Sequence, residues 1–327
     1  MIRSFVFSQK EGRLISQDIG YDLLAVLLKD EGVQFWVDIG EASDEEALAI
    51  LDSVFHFHPL AIEDCLAPSD RPKVDEYEDH IFLVIHSVEL DEKQRDFNAH
   101  ELDMFVGQNF LVTYHRKPLK SIALTMEKIA KNPHSVARAP DRLVYTILDF
   151  LLDNYTPLVS HFSQRIADVE ANVLERGSDE IFDEIMRLKS LILKLTQICW
   201  PQREMLTRLA RGEVKLIRPH MLPYYRDLLD QLVRITTQAE TYRNALTDIM
   251  QVHLNLQQTQ INRIIKVLTV LATLSMPILI ITSFYGMNFQ HWPTLDHSTL
   301  EAYLWVFGVT AVMTVGLYWF MRRKGWW

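Results

Sequence analysis

Charged residues disappear from the chain twice near its C-terminal end. Residues 267–285 run about 19 positions, and residues 302–321 about 20, without Asp, Glu, Lys or Arg, and each run is long enough to cross the hydrocarbon of a bilayer. Two such runs in tandem predict a membrane hairpin, because core helices of a soluble domain are usually shorter. Pro277 falls inside the first run, a position that a packed membrane helix tolerates better than a soluble one. Upstream, β-like runs at 5–7, 34–39, 80–90 and 102–115 alternate with helical stretches such as 44–55, which reads as a mixed α/β domain over 1–140. From 141 the apolar spacing turns to three and four, with breaks at Gly177, Gly212, Pro219 and Pro223, so 141–222 reads as a helical region. No Gly or Pro follows Pro223 until Pro277. One helix of roughly 60 residues, some 90 Å at 1.5 Å per residue, is therefore expected over 223–287, soluble in its first half and membrane-spanning in its second. A loop over 288–301, a second span over 302–322 and a short tail over 323–327 complete an α+β, mostly helical chain.

The basic residues set the expected orientation. Arg263 and Lys266 precede the first span, Arg322, Arg323 and Lys324 follow the second, and residues 288–301 hold no Lys or Arg, which places both ends in the cytosol. Trp292 and Trp305 toward one face, with Trp319, Trp326 and Trp327 toward the other, fit the interfacial preference of indole rings. Residues 1–10 have no basic stretch followed by a long apolar run, so no secretory signal is expected there.

Charge adds a contrast. The net charge is −10, but the tail from Asn262 carries five cations against Asp296 and Glu301, leaving an acidic body of about −13. Such a body argues against nucleic acid as a partner and is compatible with metal cations, although many solvated surfaces are equally acidic. Cys65 and Cys199 are isolated and read as small buried hydrophobes rather than a disulfide or a thiolate metal site. His56 and His58 look like a ligand pair, but nothing beside them requires a ligand. There is no Gly-rich phosphate loop, no HExxH and no nucleophile beside a base, so the chain is not expected to be an enzyme.

Asn255, Asn262, Thr269, Met276 and Ser283 recur every seven residues along the long helix. Positions seven apart drift only about 20° around a helix, so the five trace one narrow stripe. Polar groups on such a stripe are costly against lipid; they would line a water-filled axis or form a polar seam that sets helix register. At the end of the first run stands Tyr285-Gly286-Met287-Asn288. Gly286 is expected to end the helix in a left-handed conformation, leaving carbonyls and the Asn288 amide toward the axis.

In this position, Tyr285-Gly286-Met287-Asn288 resembles the signature of the CorA family of magnesium channels. The resemblance extends over nearly the whole chain: His58-Pro59-Leu60 with Glu63-Asp64, Arg71-Pro72-Lys73-Val74 before Ile81-Phe82-Leu83-Val84, Trp200-Pro201 with Arg203-Glu204, Tyr225-Arg226-Asp227, Lys266-Val267-Leu268-Thr269, Met276-Pro277 and the ending Arg322-Arg323-Lys324-Gly325-Trp326. It implies a homopentameric funnel in the cell's inner membrane, with the first span around the pore and the second outside it. Tyr285, Gly286, Met287 and Asn288 would form the selectivity filter, where an Asn288 ring meets hydrated Mg²⁺. Mg²⁺ sheds its waters reluctantly, so amide oxygens can recognise it through those waters. Asn262 and Met276 match pore positions, which turns the stripe toward the pore reading. Asp91 and Asp227 match carboxylates that bind regulatory Mg²⁺ at subunit boundaries.

Two departures qualify the resemblance. Leu279 stands on the pore side where Thr is common, giving a drier constriction, and residues 289–294 lack the usual loop glutamates. His291 and His297 raise Zn²⁺, Co²⁺ or Ni²⁺ as further ions, against the plainer reading of two exposed loop histidines. The related ZntB zinc transporters, perhaps proton-coupled, usually carry Val at the place of Met287. A membrane-anchored sensor or scaffold is the alternative from another class.

Overall fold

The structure is a computed structural model and describes residues 2–28, 30, 32–67, 71–91, 96–136, 138–175, 179–287 and 299–325. In chain order the first half contains β1 (Ile2–Ser8), β2 (Leu14–Gln17), α1 (Tyr21–Leu27), β3 (Val33–Gly40), α2 (Asp44–Ser53), α3 (Pro59–Leu66), β4 (Lys73–Glu76), β5 (His80–Asp91), β6 (Asp96–Gly107) and β7 (Phe110–His115). Then come α4 (Lys120–Lys131), α5 (Pro133–Val136), α6 (Pro140–Asp153), α7 (Tyr155–Glu175), α8 (Asp179–Arg211), a 3₁₀ turn (Pro219–Met221), α9 (Leu222–Tyr285) and α10 (Thr299–Arg323). The chain divides into two compact units, residues 1–250 and 251–327.

In the first unit the seven strands form one sheet in the order β2-β1-β3-β7-β6-β5-β4. Every neighbouring pair is antiparallel except β3 and β7. Both faces are covered, which explains why β5 reads as the unbroken apolar run Ile81-Phe82-Leu83-Val84-Ile85. Ile81, Leu83 and Ile85 belong to the core shared with α4 and α6 to α9, whereas Phe82 and Val84 belong to the core shared with α2 and α3. Successive strand side chains point to opposite faces, so an all-apolar strand serves two cores. The helix α2 begins with a capping box: Ser43 Oγ accepts from the Glu46 amide at 3.3 Å and Glu46 accepts from the Ser43 amide at 3.1 Å, satisfying donors that the first turn leaves open.

Two expected continuous runs are divided. The 102–115 stretch is part of a hairpin, with β6 ending at Gly107 and β7 starting at Phe110. A Cβ added to Gly107 would lie 2.2 Å from the Phe110 ring, so a side chain there would push that buried ring out of its place. The 141–175 stretch is two helices, α6 and α7, parted at Asn154. The break lets Tyr155 reach into the sheet: its hydroxyl donates to the His86 carbonyl at 2.7 Å, and Gln202 of α8 donates to the same carbonyl and to the Tyr155 oxygen. A buried hydroxyl without such partners would be costly.

The second unit holds the end of α9 and all of α10. Within α9, Thr269, Thr273, Ser275 and Thr282 donate their hydroxyls to carbonyls four residues back, at 2.7 to 2.8 Å. Internal satisfaction of this kind lets hydroxyl side chains remain in an apolar helix. Two helices, α9 and residues 303–323 of α10, are long and apolar enough to cross a membrane. Thr299 to Glu301, expected in the loop, form the first turn of α10.

Candidate metal-ion pathway

The helix α9 carries the expected pathway residues, and the covered face of its apolar end is one-sided. Pro277 and Ile281 are buried and Val270, Thr273 and Leu274 are half-buried, while Met276 is 58% and Leu279 is 65% exposed. On α10 the covered positions are Val306, Val309, Thr310, Thr314, Leu317 and Met321, spaced at three and four as one helix face. Asn255, Asn262, Thr269 and Ser283 are exposed like Met276 and Leu279, so α10 leaves all six expected pore positions open. Thr269 borders the covered side, where it lines a hollow with Lys266, Val270 and Gly325. Asn262 Oδ1 accepts from Gln258 at 3.1 Å.

At the end of α9, Tyr285 is half-buried and Gly286 and Met287 are exposed. The expected left-handed Gly286 is not found, because its φ lies outside the positive range. Its amide instead continues the helix by donating to Thr282 O at 2.9 Å, and Met287 donates to Phe284 O at 3.4 Å. Its lack of a side chain eases a close approach instead: a Cβ there would lie 3.0 Å from Thr282 O and 3.5 Å from Ser283 O. Asn288, His291, Trp292, Asp296 and His297, as well as Gly177, Trp326 and Trp327, lie outside the described residues.

The expected regulatory carboxylates sit on separate elements of the first unit. Asp91 closes β5, half-buried, opposite Asp96. Asp227 lies exposed in the first turns of α9, close enough to α6 to act on it. Burial pushes the Asp149 carboxyl above the usual range, and the nearby Asp153 and Asp227 charges push it further. Asp149 and Asp227 in turn add to the effect of burial in raising Tyr145. Asp149 and Asp153 were missed from sequence; their four-residue spacing on α6 was the available signal.

A second acidic group lies in a cavity of about 580 Å³ lined by β6, β7, α3 and α8 residues. Asp103 is 2% exposed, and burial, followed by the Glu101 charge and a hydrogen bond between the two side chains, raises its carboxyl well above the ordinary range. Asp103 and Glu101 stand two apart on β6 and so share a face. Among the described residues, no three or more His, Cys, Asp or Glu side chains are grouped to hold a metal ion.

Comparison with known proteins places this architecture. The family profile described as CorA-like Mg²⁺ transporter protein matches residues 32–323. YfjQ of Bacillus subtilis (strain 168) is 31% identical over 293 residues, covering 89% of this chain and 89% of that protein. The cobalt/magnesium transport protein CorA of Thermotoga maritima is 29% identical over 308 residues, 93% of this chain and 87% of that one. The CorA magnesium transporter structure from Methanocaldococcus jannaschii superposes with a TM-score of 0.82 at 22% identity, over 100% of this chain and 99% of that one; at that identity the likeness concerns the fold. A sheet-bearing N-terminal domain, a long helix entering two apolar C-terminal helices and a profile match across nearly the whole length agree, and the chain belongs to the CorA-like Mg²⁺ transporter family.

Proposed function

We propose that this protein is a homopentameric channel for passive uptake of hydrated Mg²⁺, with Co²⁺ and Ni²⁺ as further substrates. The observation that carries the proposal is the open stripe on α9, in a chain of this family: α10 covers one face and leaves Asn262, Met276, Leu279 and Ser283 uncovered. Ser283, on the uncovered face of the membrane-spanning part of α9, is costly against acyl chains and stable beside water, and Asn262 carries the same stripe ahead of the span. Five such faces around an axis would make a pore whose outer mouth is the Tyr285-Gly286-Met287-Asn288 filter. Asn288 amides would hydrogen-bond the water shell of Mg²⁺, so the ion enters without dehydration. The cobalt/magnesium name of the Thermotoga maritima relative supports Mg²⁺ and Co²⁺.

Two charges moving inward across 100 mV gain about 4.6 kcal/mol, so transport needs no coupled reaction. Both ends lie in the cytosol in this reading, and the membrane is the inner one. Asp91 and Asp227 would bind Mg²⁺ between neighbouring chains and hold the closed state, since facing carboxylates repel until a cation bridges them.

Ion-resolved uptake into proteoliposomes tests the proposal. Mg²⁺ flux driven by potential alone is expected, and Asn288→Ala should abolish its selectivity. Zn²⁺ uptake that requires a pH gradient, without Mg²⁺ current, would instead establish a zinc transporter of the ZntB kind. No flux of any ion in the parent would leave a tethered sensor or scaffold.

A further inference from the structure

Five cations gather toward one end of the hairpin, with no carboxylate beside them among the described residues. Arg263 and Lys266 lie on α9, while Arg322, Arg323 and Lys324 end α10. None of the five makes an ion pair among the described residues. Glu301, the one acid of the second unit among those residues, is in the first turn of the 25-residue α10, more than 30 Å along the helix from Arg323. The negative end of the α10 dipole favours Arg322 and Arg323 in its last turn, and Arg323 rests on the Trp319 ring at 5.2 Å. Neither effect accounts for Lys266, which lies on the other helix.

Between Lys266 and the end of α10 lies a hollow of about 330 Å³ lined by Lys266, Thr269, Val270 and Gly325. Gly325 has φ +74 and donates to Arg322 O at 3.2 Å, while Lys324 donates to Phe320 O at 3.1 Å. This left-handed turn ends α10 beside α9. A side chain at Gly325 would meet nothing within 4 Å, so the space around it is open. One wall offers an ammonium, another the apolar Val270, and the last-turn cations directly precede Gly325.

We propose that this hollow binds the phosphate headgroup of an anionic phospholipid, with Lys266 as its principal cation and the Arg322-Arg323-Lys324 turn as its second side. The position selects lipid over free phosphate: Lys266 stands at the start of the charge-free run, at the depth where headgroups meet acyl chains, and Val270 continues the hollow with apolar surface. Basic residues at a membrane surface each strengthen anionic-lipid binding about fivefold. The inference rests on the membrane hairpin and not on the channel reading.

The test uses the full chain in phosphatidylcholine vesicles containing spin-labelled phosphatidylglycerol or spin-labelled phosphatidylcholine. The parent should immobilise the glycerol lipid in preference to the choline lipid, and excess inorganic phosphate should not displace it. Lys266→Gln and Lys324→Gln should each lower that preference about fivefold, while Lys215→Gln, on the first unit, should leave it unchanged. Equal association of the two lipids in the parent, or an undiminished preference in both variants, would overturn the proposal. Displacement by inorganic phosphate would overturn it too, by making the site one for a soluble anion. Mg²⁺ flux in vesicles of phosphatidylcholine alone is read separately, so failure of the channel reading is distinguishable from failure of the lipid site.

Discussion

Arg218 clasps Asp141 with two parallel bonds, Nε to Oδ2 at 2.8 Å and Nη2 to Oδ1 at 2.6 Å, and the Arg218 backbone amide adds a third at 3.2 Å. Asp141 is 2% exposed while the Arg218 side chain is 42% exposed. The Asp141 carbonyl also accepts from the buried Tyr225 hydroxyl at 2.7 Å. The start of α6 is thereby tied to the entry of α9. Bidentate geometry adds direction as well as energy.

Removing the guanidinium should strand a buried carboxylate. Arg218→Ala is expected to lower stability by about 2 kcal/mol, less than for a fully buried pair because water reaches the arginine. Asp141→Asn keeps the shape and should cost less. Thermal unfolding of the two variants in detergent, followed by circular dichroism, checks the order; equal losses would show that the charge pair contributes little.

A pH dependence follows from Asp38 and His115, each 6% exposed and 3.3 Å apart. Burial lowers the His115 value, but the Asp38 side chain and the Lys117 carbonyl outweigh it and the net shift is upward. The folded value then exceeds the unfolded one, near 6.5. Its contribution is fully present below that value and is lost as pH rises through the folded one. His80 has the opposite sign, since burial outweighs Asp79 and lowers it, so its contribution is present above the unfolded value and is lost as pH falls below it, through the folded one. His115→Gln should flatten the loss of stability above pH 6.5, and His80→Gln the loss below it. Unfolding midpoints measured between pH 5.5 and 8.5 would refute the assignment if the two variants kept the parent's slope.

Asp103 should respond in the direction unusual for a carboxylate. Its folded value is raised by burial and by Glu101, so the stability it provides is present below the unfolded value, near 3.9, and is lost as pH rises from there. Asp103→Asn removes the ionisable group and keeps the shape. At pH 7 the variant is expected to unfold later than the parent by an amount equivalent to about 1–3 kcal/mol, a gain that disappears near pH 4. A less stable variant at pH 7 would mean that the ionised carboxyl is a preferred state.

Gating carries its own prediction. In the proposed channel, Asp227→Ala should raise the Mg²⁺ concentration needed for half-protection against proteolysis about tenfold, equivalent to about 1.4 kcal/mol of lost binding. Asp91→Ala should act in the same direction, and Asp149→Asn should act more weakly if the α6 carboxylates only supply field. Unchanged protection in both Asp91 and Asp227 variants would remove them from the sensor.

The local parts of this architecture were legible along the chain. The charge-free runs, the absence of Gly or Pro between Pro223 and Pro277, and the full extent of α8 came from sequence, because a bilayer reads length and a helix reads period. The hairpin at Gly107 was hidden inside one apolar run, since buried strands on both sides of a tight turn leave no polar punctuation but Gln108-Asn109. The Gly286 conformation was also misjudged: a glycine can serve close carbonyl contact as well as a left-handed turn, and residue type cannot distinguish the two.

Tertiary structure alone decided which distant groups meet. Asp38 bonds Thr113 across 75 positions of sequence at 2.6 Å because β3 lies beside β7, and Asp103 sits deep because its strand face is closed by α3 and α8 residues. The order of strands and the face of α9 that α10 covers depend on long-range packing, which no local period encodes. Sequence determined that two helices are long and apolar enough to cross a membrane and that Asn, Thr, Met and Ser share one stripe along α9. Only the packed hairpin decided that this stripe stays open while Lys266 is brought beside Gly325.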